Sequence, residues 1–219
     1  MCIRDRVFGE QARGLVEGGV DVLLLETQQD ILEVKAAVAG IYRYFRQAGV
    51  RVPLQVQVTL DVSGRMLLGT DIAAVLTILR YLPIDVIGLN CSTGPDYMRE
   101  PIRYLVANTN LPISVIPNAG LPLNVDGKAV YPMEPRPLAS TLVEFVRDLG
   151  VNVVGGCCGT TPEHIRQIVE LVRPLKSRGP GLARIAATTA FPALVASACL
   201  LYTSPSPRDR TRSRMPSSA

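Results

Sequence analysis

Residues 84–118 read IDVIGLNC-STGP-DYMREPIRYLVAN-TNLP-ISVIPN, and the fold turns on this stretch. Its two ends, 84–91 and 113–118, are near-continuous runs of Ile, Val and Leu, the pattern of strands covered on both faces. Between them, 96–108 reads as a helix that stops before Pro112. The stretch is one strand–helix–strand unit. Each strand closes on polar residues, Asn90-Cys91 in the first and Asn118 in the second.

Working outward, three more segments read as buried parallel strands: 20–26 (VDVLLLE), 54–60 (LQVQVTL) and 151–157 (VNVVGGC). The strand starts recur about every 30 residues, the length of a βαβ unit. The remaining segments read as helices. Residues 30–45 carry Ile31, Val34, Ala37, Val38 and Ile41 at helical spacing. Residues 71–82 follow Thr70 as N-cap and stop at Pro83. Residues 137–149 end at Gly150, and 163–172 begin after Thr161-Pro162. Strict alternation of strand and helix predicts an α/β fold with a parallel sheet. A doubly wound sheet would usually carry a glycine-rich phosphate loop, and neither G-x-G-x-x-G nor G-x-x-x-x-G-K-[ST] occurs. A (β/α)8 barrel gathers its chemistry at the C-terminal ends of many strands. The polar residues stand there: Glu26-Thr27, Thr59 and Asp61, Asn90-Cys91, Asn118, and Cys157-Cys158.

Cys91, Cys157 and Cys158 offer three thiolates from two neighbouring regions, a donor set for a tetrahedral zinc ion with one open position. Soft sulfur ligands select zinc over magnesium or calcium. A structural zinc site would normally supply four ligands, so three with a vacancy point to a catalytic metal. With three thiolates the site is a weak Lewis acid, suited to binding a substrate thiol and keeping it as thiolate. Thiol alkylation follows from that ligand set. The plainer alternative is that these cysteines are small buried hydrophobes. Glu26 either pairs with an ammonium group or caps the next helix. Asn118 either sits beside the metal or orders a loop. Asp61 and Thr59 read as ordering the turn at Ser63-Gly64. His164, the single histidine, reads as a solvated helix residue and leaves little room for a Ser-His-Asp hydrolase. The long loop 121–137 holds a tight turn at Asp126-Gly127 and reads as a lid, a docking surface or a plain excursion.

The 219 residues carry a formal net charge of +4, with 47% hydrophobic residues, which excludes wholesale disorder. Residues 1–6 are net +1 and 199–219 net +3, so 7–198 is neutral. The excess charge therefore gives no support for a nucleic-acid partner. Five cysteines are too few for a disulfide scaffold and fit a reducing, cytoplasmic compartment. The N-terminus lacks the apolar core of a signal peptide. The uncharged run 185–202 is alanine-rich and broken by Pro192, and reads as linker rather than membrane span.

The segments LLLETQQDILEVKAA, GLNCSTGP, IPNAGLP and VVGGCCGTTPEHI resemble the homocysteine S-methyltransferase family over roughly residues 8–174. The likeness is closest to the N-terminal homocysteine-binding module of the cobalamin-dependent methionine synthases. The resemblance implies a zinc-bearing (β/α)8 barrel that transfers a methyl group to homocysteine sulfur, giving methionine. It implies Cys91, Cys157 and Cys158 as zinc ligands and catalytic residues, Glu26 as the holder of the substrate amino group, and Asn118 as the asparagine beside the metal. It implies methylcobalamin, held on another domain, as donor, with folate- and cobalamin-binding modules as partners; betaine and S-methylmethionine are alternative donors. A non-catalytic zinc-binding or redox-sensing module remains the alternative from another class. By motif, the five strands match strands four to eight of an incomplete barrel, so a fragment inactive and poorly soluble by itself is expected. The expected division is 7–174 barrel, 175–198 linker, and non-native extensions at 1–6 and 199–219. Those ends do not resemble the family and read as translated adaptor sequence, so Cys2 and Cys199 are given no role.

Overall fold

The computed structural model describes residues 3–175. The expected linker beyond residue 175, the tail, Cys2, Cys199 and the run 185–202 lie outside the described residues. A five-stranded parallel sheet is built from β1 (Leu23–Gln28), β2 (Leu54–Val58), β3 (Val86–Asn90), β4 (Ile113–Ile116) and β7 (Val153–Val154). Their order in the sheet, β1-β2-β3-β4-β7, follows the chain. There is no reversal of the kind that creates the switch point of a doubly wound sheet. The α/β fold with a parallel sheet is as the sequence predicts.

The strands are shorter than the apolar runs that announce them, for local reasons. β1 starts at Leu23 and bulges between Leu25 and Gln28, where Thr27 turns left-handed at φ 58°. β4 stops at Ile116 because Pro117 has no N–H to give the ladder. β7 is only Val153–Val154, yet the chain keeps bonding to β4's exit, with the Gly155 N–H on Val115 O and the Cys157 N–H on Pro117 O.

The helices match their expected places with shifted ends. α2 (Ile31–Ala48) is capped by Asp30, whose carboxylate accepts from the Leu32 N–H at 2.8 Å, and ends at Gly49. It buries Val34, Ala37, Val38, Ile41 and Phe45. α3 (Ile72–Leu79) is capped by Asp71, not Thr70, because the Asp71 carboxylate reaches the Ala74 N–H at 2.9 Å. α4 (Pro95–Asn108), α5 (Pro135–Asp148) and α6 (Pro162–Val172) each open on a proline, which needs no intrahelical partner there. One helix has no counterpart in the sequence reading. α1 (Ile3–Glu17) packs on α2 through Phe8, Ala12 and Val16, a stripe of one residue per turn. Arg4 pairs with Asp30 at 3.8 Å and Asp5 with Arg43 at 3.4 Å.

Alternation along the strands separates two environments. Leu54, Val56, Val58, Ile87, Leu89, Ile113 and Val115 join the helices in one apolar core. The residues between them, Gln55, Gln57, Thr59, Asn90 and Ser114, are buried and polar. The Gln55 and Gln57 amides both donate to Ser114 Oγ, at 2.9 and 2.7 Å. In a parallel sheet all five C-terminal strand ends lie on one side, and that side carries the candidate site. Among the described residues, no helix is long and apolar enough to cross a membrane.

Candidate metal centre

Cys91 follows β3 directly. It and Ser92 are both left-handed, at φ 62° and 64°, which turns the Cys91 backbone out of the ladder at the strand's mouth. The Cys91 N–H still bonds Ile116 O at 3.1 Å, tying it to the exit of β4. Cys157 and Cys158 lie beyond β7 on a loop folded back on itself. The Thr160 hydroxyl and N–H both donate to Cys157 O, and Cys158 O accepts from the Ala119 N–H at 2.9 Å. At Gly159 (φ 77°) a side chain would place its Cβ 2.2 Å from Cβ of Tyr131, so only glycine lets that residue lie against the loop.

These two loops bring three sulfurs together. Cys91 Sγ lies 3.7 Å from Cys158 Sγ, and Cys157 Sγ lies 3.9 Å from Cys158 Sγ. All three are within 4.8 Å of one another, and no other His, Cys, Asp or Glu joins the group among the described residues. Sulfurs bound tetrahedrally at about 2.3 Å sit about 3.8 Å apart, so the two sides that meet at Cys158 have the length of an edge of a thiolate zinc site. The three cysteines are free thiols. Hydrogen bonds from Cys157, then Cys91, then Tyr131 hold the Cys158 thiol far below the usual cysteine range. For Cys91 the bond with Cys157 pulls downward, but bonding to Cys158 together with burial wins and pushes its thiol up.

Glu26 closes the inward side of β1. Its Oε2 is buried with no hydrogen-bond partner. Burial first, then the Cys158 charge, raise its carboxyl above the ordinary value. An orphaned carboxylate oxygen beside a thiolate cluster suits a cationic group. It makes no bond that would cap the next helix; Asp30 does that. Asn118 is buried, and its Oδ1 accepts from the Cys158 N–H at 3.1 Å, so it orients the Cys158 backbone. Asp61 orders its turn, accepting from the Ser63 N–H at 2.8 Å, the Ser63 hydroxyl at 2.6 Å and the Arg65 N–H at 3.2 Å. The Thr59 hydroxyl donates to Asn90 O at 2.9 Å.

One expectation changes. His164 is buried rather than solvated. Its Nδ1 accepts from the Thr161 N–H at 3.1 Å, which leaves Nε2 to donate to Met133 O at 2.9 Å. It therefore joins the start of α6 to the return arm of loop 121–137. That loop is a hairpin of β5 (Leu123–Val125) and β6 (Lys128–Val130), exposed throughout, with Asp126 and Gly127 both left-handed as the expected tight turn. Tyr131, just past β6, is the functional candidate that the sequence did not offer. Its hydroxyl bonds Cys158, and burial followed by the Cys158 charge pushes its pKa up to about 12.

A parallel α/β sheet with a thiolate trio at its strand ends defines a class, and the sequence comparisons agree with it: the chain belongs to the homocysteine S-methyltransferase family, whose profile it matches over residues 5–172. Among curated relatives it is 47% identical to the methionine synthase of Mycobacterium leprae over 170 residues, covering 78% of this chain and 14% of that protein. It is 47% identical to the Mycobacterium tuberculosis methionine synthase over 174 residues, covering 80% of this chain and 14% of that protein. The chain thus spans about one seventh of the curated relatives it matches. Among solved structures it resembles the homocysteine methyltransferase MmuM from Escherichia coli in its apo form. The TM-score is 0.59 and the identity 25%, covering 78% of this chain and 57% of that one. The metallated form of MmuM matches with TM-score 0.58 and 24% identity over 77% of this chain and 52% of that one.

Proposed function

We propose that this chain is the zinc-holding, homocysteine-activating part of a larger methionine synthase. The observation that carries the reading is the sulfur triangle of Cys91, Cys157 and Cys158 beside the unpartnered carboxylate of Glu26. Homocysteine carries a thiol and an ammonium group on one short chain, and these are the two partners that site lacks. A bound zinc ion supplies the Lewis acidity that holds the incoming thiol as thiolate at neutral pH.

The residues of the chain divide the remaining work. Cys91, Cys157 and Cys158 ligate. Glu26 orients the substrate through its ammonium group, a charge-assisted bond. Asn118 fixes the Cys158 backbone. The substrate sulfur then attacks the methyl carbon in line: the S–C bond forms, the bond from carbon to the donor breaks, and the donor leaves with that electron pair. Methylcobalamin on another module is the donor we favour, because the methionine synthases that resemble this chain are about seven times the length it spans. Betaine and S-methylmethionine are the alternatives. In this reading, 7–174 is the homocysteine-binding part, matching strands four to eight of a (β/α)8 barrel, and 175–198 is a linker toward further modules. The unreversed strand order supports a barrel over a doubly wound sheet. The free thiols fit the cytoplasm.

Binding a thiol as thiolate releases its proton. Calorimetric titration of the zinc-loaded chain with L-homocysteine, repeated in buffers of different ionisation enthalpy, should register close to one proton released per homocysteine bound near pH 7. Binding without proton release would remove thiolate activation from the account.

A further inference from the structure

Asn90 is fully buried at the end of β3, one residue before Cys91. Its amide spends both ends on a single residue 63 positions away. Oδ1 accepts from the Thr27 N–H at 2.8 Å, and Nδ2 donates to Thr27 Oγ1 at 2.8 Å. Thr27 follows Glu26. β1 and β3 are not neighbours, because β2 lies between them, so the Asn90 side chain spans the end of β2. There the Thr59 hydroxyl holds the Asn90 carbonyl.

The backbone on both sides of this bridge is strained. Thr27, Cys91 and Ser92 are all left-handed, at φ 58°, 62° and 64°. A β-branched residue such as threonine is costly in that region, and such strain persists only where its surroundings over-determine it. At Thr27 the over-determining group is the Asn90 amide, which replaces the ladder bonds lost at the β1 bulge. One side chain therefore ties the residue next to the carboxylate to the residue next to a sulfur ligand.

We propose that Asn90 is a positioning residue: through its paired bonds to Thr27 it fixes the separation between the Glu26 carboxylate and the cysteine cluster, and so makes the site selective for a thiol carrying an amino group at homocysteine's spacing. The proposal rests on the reading that homocysteine bridges these two points. Asn90 itself touches neither the substrate nor the metal. Its loss should weaken the ammonium contact while leaving the thiol-to-metal contact intact.

The test compares two thiols on the zinc-loaded full chain by calorimetry: L-homocysteine, and 4-mercaptobutanoate, the same molecule without its amino group. Zinc content is measured for every variant. Asn90→Ala should keep wild-type zinc content, lose affinity for homocysteine about 10–100-fold, in the range typical of supporting residues around a metal site, and bind 4-mercaptobutanoate as wild type does. Thr27→Val keeps the backbone bond and loses the hydroxyl one. It should show the same selective loss in smaller measure, with Thr27→Ser close to wild type. Thr27→Val decides the matter if Asn90→Ala does not fold. Equal loss for both thiols, loss of zinc in Thr27→Val, or no change in either variant overturns the positioning role. A wild-type chain that binds neither thiol sinks the homocysteine reading, and the role of Asn90 with it. Wild-type binding without selective loss in the variants sinks the role of Asn90 alone.

Discussion

Glu26 keeps a buried carboxylate oxygen without a partner, a costly arrangement in a folded chain. Burial and the charge on Cys158 raise its carboxyl above the unfolded value. The folded state therefore binds that proton more tightly than the unfolded state. Stability falls as pH rises from the unfolded carboxylate range through the folded pKa. Glu26→Gln removes the ionising group and with it this loss. In thermal melts of the metal-free chain, the variant should melt above wild type at pH 8 and show no such gain below about pH 3, where Glu26 is protonated in the folded and unfolded chain alike. Equal melting at both pH values would mean the carboxylate carries no strain. The same substitution should cost the preference for homocysteine over its amino-free analogue, so stability and function trade against each other at one atom. Glu26 and the three cysteines were legible in the sequence because each stands at a strand end with a chemically distinctive group. The partners of Asn118 were not legible. An asparagine's letter does not say whether its oxygen will face a metal or a backbone N–H 40 residues away.

The hairpin β5–β6 and its return arm form the element with the least support of its own, every hairpin strand residue being exposed. It is fastened at the site by Tyr131 lying against Gly159, by the Met133 N–H on Ala119 O, and by His164 on Met133 O. Gly159→Ala would set a Cβ 2.2 Å from the Tyr131 side chain at a left-handed φ of 77°. It should destabilise the chain by about 1–3 kcal/mol, the usual range for such strain, and displace Tyr131 from Cys158. Denaturant unfolding measures the first. A fall in zinc affinity of about 10–100-fold, as expected when a ligand's hydrogen-bond partner is lost, measures the second. Unchanged zinc affinity would mean Tyr131 does not support the ligand. Sequence reasoning found the tight turn at Asp126-Gly127 because turn chemistry is local. It missed Tyr131 and misread His164 because their contacts join separate elements and leave no periodic trace. It also missed α1, which buries only Ala12 fully, with Phe8 and Val16 partly covered, and leaves Ile3, Val7 and Leu15 exposed, so its apolar residues mark no single face.

At the scale of the molecule, strand order and direction do the functional assembly. Five parallel strands in chain order deliver Glu26 near the end of β1 and the groups after β3, β4 and β7 to one end, while the apolar core lies between sheet and helices. That convergence was predictable, since alternation of strand and helix dictates a parallel sheet and a parallel sheet aligns its C-terminal ends. The cysteine trio was expected as one donor set; the two left-handed turns at Cys91 and Ser92 that shape its mouth were not, because no propensity announces them. The net charge has no part in the site: residues 7–198 sum to zero, and the +4 comes from residues 1–6 and 199–219. The central claim is that Cys91, Cys157 and Cys158 hold zinc with a position left for the substrate thiol. Zinc K-edge X-ray absorption on the zinc-loaded chain, recorded before and after adding L-homocysteine, tests it most directly. Three sulfur neighbours at about 2.3 Å should rise to four. A sulfur count that stays the same on adding homocysteine would contradict it.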